Sequence, residues 1–194
     1  TCRDLSDDER ERRRDGGRRP ALRLRTDGET LTIHDRLAGE FTGAVDDVVL
    51  ARADGVPAYN LAVVVDDIDQ GVIEVVRADD LLSSTPRQVL LTGLLGADPP
   101  RYLHVPLVVG ADGERLAKRH GAVTLHDLRA DGWSADDVLG TLARSLGLAA
   151  PGETLSADRL IGRFDPRKLP TGATPLSDLV GPGETGNNPD AVPG

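Results

Sequence analysis

Methionine is absent from the 194 residues and the chain opens on Thr1-Cys2-Arg3, so the sequence reads as a fragment of a longer reading frame. Its single cysteine, Cys2, excludes an internal disulfide framework and cannot by itself supply the four ligands of a structural zinc site. Aromatic residues make up only 3%, so a core must be filled by Val, Leu and Ala. No run approaches the ~20 apolar residues of a membrane span, and no signal sequence opens the chain. The expected setting is cytoplasmic, with no membrane partner. Twenty-three basic against thirty-two acidic side chains give a net charge of −9, which excludes nucleic-acid binding by net charge alone and leaves local basic patches as the only route to it.

Several segments nevertheless carry clear local signals. From Ser6 the run Ser-Asp-Asp-Glu-Arg-Glu-Arg-Arg-Arg-Asp predicts a helix with Ser6 as cap, acids in the first turn, arginines later and Gly16-Gly17 as the stop. It has almost no apolar face. It reads either as a solvated helix or as an RNA-backbone contact through Arg12, Arg13, Arg14, Arg18 and Arg19. Residues 21–25 and 30–34 alternate around Asp27-Gly28 and predict a hairpin, with a further strand over 47–52. The apolar run within 59–67 predicts a strand buried on both faces, followed by a strand over 72–76 that ends at Arg77. Thr85-Pro86 supplies a cap and a first-turn proline for a helix running to Gly96. A strand is expected over 102–109, a turn at Asp112-Gly113, a basic loop over 115–121, and helices over 125–130, 135–146 (capped by Ser134) and 157–162 (capped by Ser156). Strands alternating with helices predict an α/β fold with function near the strand ends.

P-loop, dinucleotide-binding, Cys-x-x-Cys and Gly-x-Ser-x-Gly patterns are all absent. What remains is an ordered set: Tyr59, Asp66-Asp67, Arg77 and Lys118. Asp66-Asp67 suits magnesium or structural capping; adjacent strand residues point to opposite faces, so at most one would face a site, and capping is preferred. His104 and His120 are taken as structural or RNA-contacting.

Five segments carry a resemblance: Tyr59-Asn-Leu-Ala-Val-Val-Val-Asp-Asp67, Gly71-Val72 through Arg77, Ser84-Thr85-Pro86-Arg87-Gln88, His104-Val105-Pro106-Leu107 and Arg115-Leu116-Ala117-Lys118-Arg119-His120-Gly121. In this order they resemble the glutamyl class I aminoacyl-tRNA synthetases, over residues 1–124. The resemblance implies the second half of a Rossmann-like nucleotide-binding fold over 46–124. Before it would lie a remnant of the acceptor-end insertion and zinc-binding segment (1–45), and after it a short helical region (125–180) and a disordered tail (181–194). The first half, with its His-Ile-Gly-His-type motif, is expected to lie upstream.

The same resemblance implies roles. Lys118 matches the second lysine of the family's Lys-Met-Ser-Lys-Ser loop, which grips ATP phosphates with Mg²⁺ present; the loop here reads Arg115-Leu116-Ala117-Lys118-Arg119, with Ala117 in place of serine. Arg77 matches a glutamate-binding arginine, its alternative being an ion pair to Glu74, Asp79 or Asp80. Ala78 stands where the family has glycine. Tyr59 matches a glutamate-contacting tyrosine, its alternative being core packing. Cys2 matches the last ligand of a Zn²⁺ site whose other ligands lie upstream. The short stretch after Gly121 favours the branch that places L-glutamate on the queuosine base of tRNA(Asp), entering by its anticodon arm, over enzymes that charge tRNA(Glu); a noncatalytic RNA-binding remnant is the third reading.

Overall fold

The computed structural model describes residues 3–17, 19–110, 112–115, 124–130 and 132–179. In chain order these form α1 (Asp7–Asp15), β1 (Leu22–Leu24), β2 (Thr30–Asp35), β3 (Gly39–Ala44), β4 (Val48–Ala51), α2 (Tyr59–Asp69), β5 (Glu74–Ala78), a 3₁₀ segment (Asp79–Ser84), α3 (Thr85–Leu94), β6 (Arg101–Val105) and β7 (Val108–Val109). Then come α4 (Leu125–Ala130), α5 (Ala135–Ser145), α6 (Ala157–Arg163), a 3₁₀ turn (Pro166–Lys168), β8 (Thr174–Pro175) and α7 (Leu176–Leu179). The architecture is α/β, with a four-stranded sheet in the order β3-β2-β6-β5. The chain divides into two compact units, one of Thr1–Asp35, Gly39–Val75 and Leu81–Tyr102, the other of Arg36–Ala38, Val76–Asp80 and Leu103–Gly194. The tail expected over 181–194 lies outside the described residues.

In the first unit α1 forms as its sequence dictates: the Ser6 hydroxyl accepts the Glu9 amide at 3.3 Å, and Gly17 adopts a positive φ just beyond the end. The expected hairpin between residues 21–25 and 30–34 does not form. β1 pairs antiparallel with β4, and β2 pairs antiparallel with β3. Thr26 diverts the chain, since its amide donates to Asp47 Oδ1 at 3.0 Å and its hydroxyl to the Val45 carbonyl at 2.9 Å, which ties the segment to β4.

Residues 59–67 are helical, against the expected strand. The β-branched Val63-Val64-Val65 run has strand propensity, but tertiary packing overrides it. Asn60 to Val64 and Asp67 are wholly or partly buried while Tyr59, Val65, Asp66 and Ile68 are exposed, and Val64 alone is fully buried, so the run is covered on one side of a helix and not along alternate residues. Val64 joins Val45, Val48 and Leu91 in the core, flanked by Leu24, Leu31, Leu50, Val63 and Leu90. Burying each such side chain contributes roughly 1.5–3 kcal/mol. Gln88 Nε2 donates to Asn60 Oδ1 at 3.1 Å, linking α3 to α2. Asp66 and Asp67 therefore lie in the last turn of a helix, not at a strand end.

Three boundaries shift. β5 starts two residues later than expected, placing Arg77 inside the strand. Ser84, not Thr85, holds the N-cap position of α3, and the Thr85 hydroxyl turns back to the Leu81 carbonyl at 3.4 Å. The strand expected over 102–109 is two strands separated by Pro106, which has no N–H to give to a ladder. Gly43 in β3 lets α3 approach, because a Cβ there would meet Pro86 Cγ at 2.9 Å.

In the second unit α5 carries a full capping box between Ser134 and Asp137. Ser156 holds the N-cap position of α6 without a side-chain cap bond. Gly140 lies against the Glu153 carbonyl, where any Cβ would collide with backbone. β7 and β8 pair in parallel, and Leu103, Val109, Ala143, Leu155, Leu169 and Leu179 are buried.

Two carboxylates in this unit are held far below their ordinary range. The Arg163 guanidinium, then the Ala150 amide, bring Glu153 from 4.5 to about 2. The Arg167 side chain and amide bring Asp165 from 3.8 to about 2. Depressed values mean that their contribution is complete above the unfolded pKa and is lost as pH falls toward the folded value. The thermal midpoint followed by helical circular dichroism is thus expected to drop between pH 4.5 and about 2, and Glu153→Gln to flatten part of that drop. A midpoint equally acid-sensitive in the variant would remove Glu153 from the account.

Candidate active site

β5 places Arg77 in the second unit, and the neighbouring strand β6 supplies its partner. Arg77 Nε donates to His104 Nε2 at 2.9 Å, and His104 is buried to 2% exposure. In this bond the imidazole Nε2 is the acceptor. The bond uses the Nε edge of the guanidinium; Nη1 and Nη2 form the separate end-on fork that suits a carboxylate.

Just beyond β5, Asp80 Oδ2 accepts Arg115 Nη1 at 2.7 Å. Arg115 also bridges antiparallel to Val109, and the Gly110 amide donates to the Glu114 carbonyl at 2.8 Å. These contacts fix where the basic loop starts. Asp80 pairs with Arg115, and Glu74 lies 3.9 Å from Arg101 Nε.

Tyr59 is the first residue of α2, in the first unit, and is 61% exposed, which sets aside core packing as its role. Leu116, Ala117, Lys118, Arg119 and His120 lie outside the described residues, as do Cys2 and Arg18. Among the described residues no three His, Cys, Asp or Glu side chains gather as a metal site. Among the same residues no helix is long and apolar enough to cross a membrane.

The structure thus joins Arg77 to His104 and Asp80 to Arg115. Sequence reasoning assigned none of these pairs. The signal for the first lay in the His104-Val105-Pro106-Leu107 segment, but reading it required knowing that β6 runs beside β5.

Residues 1–166 match the family model described as tRNA synthetases class I (E and Q), catalytic domain. Over 187 residues the chain is 56% identical to a protein of Nocardia farcinica (strain IFM 10152) named glutamyl-Q tRNA(Asp) synthetase, an overlap of 95% of this chain and 58% of that protein. Over 154 residues it is 45% identical to a glutamate–tRNA ligase of Nitrosospira multiformis (strain ATCC 25196 / NCIMB 11849 / C 71), covering 77% of this chain and 33% of the relative. The chain spans little more than half the length of its glutamyl-Q relatives, 58% and 54% for two of them. A crystal structure of a glutamate tRNA ligase from Elizabethkingia meningosepticum CCUG26117 in complex with its amino acid shares the fold, with a TM-score of 0.71, 23% identity, and 89% of this chain and 39% of that one covered. Sequence match and fold converge, and the chain belongs to the class I tRNA synthetases (E and Q), as part of their catalytic domain.

Proposed function

We propose that the protein to which this chain belongs activates L-glutamate with ATP and Mg²⁺ and transfers it to the queuosine base of tRNA(Asp) in the cytoplasm. The observation that carries the reading is the 56% identity over 95% of the chain to a glutamyl-Q tRNA(Asp) synthetase, against 45% over 77% to a glutamate–tRNA ligase. In the first step a glutamate α-carboxylate oxygen attacks the α-phosphorus of ATP, pyrophosphate leaves, and glutamyl adenylate forms. In the second the acceptor's nucleophile takes the glutamyl group and releases AMP.

Within that scheme Arg77 takes the side-chain carboxylate of glutamate through its Nη fork, and buried His104 holds the guanidinium plane. Tyr59 offers its hydroxyl to the amino acid. Lys118 stabilises the charge that builds on the reacting phosphates, and the Arg115–Asp80 pair sets the loop's starting point. Magnesium enters bound to ATP. Zinc would need ligands beyond the single Cys2.

The deciding assay supplies a protein of the relatives' full length with ATP, labelled glutamate and either queuosine-containing tRNA(Asp) or unmodified tRNA(Glu). Label is expected on tRNA(Asp) only. Label confined to the 3′ end of tRNA(Glu) would restore ordinary glutamylation.

A further inference from the structure

α2 begins without a side-chain cap: Ala58 holds the N-cap position with no side-chain hydrogen bond, and Tyr59, the first helical residue, is 61% exposed. A first turn in that state frays unless something outside the helix holds it. Contacts on two sides do so within the first unit. The Ala58 amide donates to the Leu50 carbonyl at 2.9 Å, and Pro57 bridges antiparallel to Ala51, so the chain entering α2 is tied to β4. From the other side Gln88 Nε2 donates to Asn60 Oδ1 at 3.1 Å, one residue beyond Tyr59. Gln88 is 2% exposed and is buried in α3 with Thr85, Leu91 and Thr92. The Thr92 hydroxyl turns back to the Gln88 carbonyl at 2.9 Å, whereas the Gln88 side chain reaches across to the neighbouring helix.

We infer that Gln88 is a positioning residue for Tyr59, acting through Asn60, and that the pair fixes the rotation of the first turn of α2 and with it the direction of the Tyr59 hydroxyl. The inference rests on the reading of Tyr59 as a contact of the amino acid. A buried amide is a poor source of stability, because desolvation offsets most of its hydrogen bond, and a leucine of similar volume would fill the site without that cost. What an amide adds is direction. An apolar side chain tolerates several rotations of the facing helix, whereas a donor and an acceptor meet in one. The turn held in this way carries an exposed side chain, whose aim is set by the backbone beneath it. Setting that aim in advance spares the cost of ordering the ring when the amino acid arrives.

The test compares Q88L, N60A, Y59F and the double variant Q88L/Y59F in a protein of the relatives' full length, by pyrophosphate exchange at varied glutamate. Loss of one neutral hydrogen bond is expected to raise KM for glutamate about 3- to 10-fold in Q88L and N60A, while KM for ATP and kcat stay within about twofold. N60A cuts the same bond from the α2 side and carries the test should Q88L disturb folding. Q88L in the Y59F background is expected to add nothing to the effect of Y59F, since the aim of an absent hydroxyl is immaterial. The reciprocal swap N60Q/Q88N, which keeps donor and acceptor, is expected to recover part of the loss. Additive effects of Q88L and Y59F, or a KM for glutamate unmoved in both Q88L and N60A, overturn the inference. A second readout needs no substrate: with 3-fluorotyrosine incorporated and the Tyr59 signal assigned by Y59F, Q88L and N60A are expected to shift that fluorine resonance. A resonance at the parent position in both overturns the inference. A shifted resonance in a protein that transfers no glutamate to tRNA(Asp) fails the functional reading and upholds the positioning, and an unshifted one in an active protein does the reverse.

Discussion

Lys118→Ala, in a protein of the relatives' full length, is expected to slow ATP-dependent glutamate activation about 10²- to 10³-fold, read by pyrophosphate exchange. Attack on the α-phosphorus adds negative charge to phosphate oxygens as the transition state is approached. An ammonium that meets this charge there stabilises it more than the ground state, so kcat falls more than KM rises. Arg115, three residues before Lys118, is held by Asp80 at 2.7 Å and bridged to Val109. Lys118→Arg keeps the charge but changes its shape, and an intermediate rate is expected. Equal exchange rates for parent and alanine variant would remove Lys118 from the mechanism.

Arg77→Gln is expected to weaken glutamate binding about 10- to 150-fold, corresponding to roughly 1.5–3 kcal/mol for hydrogen bonds to a charged group, with ATP affinity nearly unchanged. The substitution exchanges a two-pronged cation for a neutral amide opposite a carboxylate. It also leaves Nε2 of buried His104 without the donor that meets it at 2.9 Å. His104→Gln, which keeps an acceptor, and His104→Phe, which does not, separate the two effects. A positioning role makes the phenylalanine variant raise the KM for glutamate while the glutamine variant recovers part of the loss. Glutamate affinity indifferent to Arg77→Gln would assign the guanidinium to structure alone.

Features written in adjacent residues were legible from the sequence. The Ser6 cap of α1, the Ser134 box of α5 and the proline in the first turn of α3 all depend on groups within a few positions of one another. The apolar run over 72–76 puts Arg77 at a strand end, one residue short of where β5 stops. Features that depend on long-range pairing were not legible. Val63-Val64-Val65 is locally a strand sequence, and only the face it buries against Val45, Val48 and Leu91 makes it helical. β1 finds its partner in β4, beyond the nearer β2, because Thr26 ties it there. His104 stands 27 positions from Arg77, and Arg115 stands 35 from Asp80. A hollow beside α1, lined by seven arginines, shows the same limit. The run Arg12-Arg13-Arg14 draws attention in the sequence, yet Arg12 turns back to the Asp8 carbonyl at 3.2 Å, while Arg3, Arg23 and Arg25 join the lining from outside α1.

β5 closes one side of the four-stranded sheet, and its Val76 and the preceding Ile73 are 58% and 73% exposed. Among the described residues no strand pairs with the outer side of β5, and a strand edge flanked by exposed apolar side chains is adhesive toward other strands. In dilute, low-salt buffer the −9 charge keeps copies of the chain apart. At about 1 M salt that repulsion reaches only ~3 Å, less than the spacing of paired strands, while apolar attraction is undiminished. Ionic strength therefore sets the colloidal behaviour of this chain, and its solubility is a property of the solvent as much as of the fold.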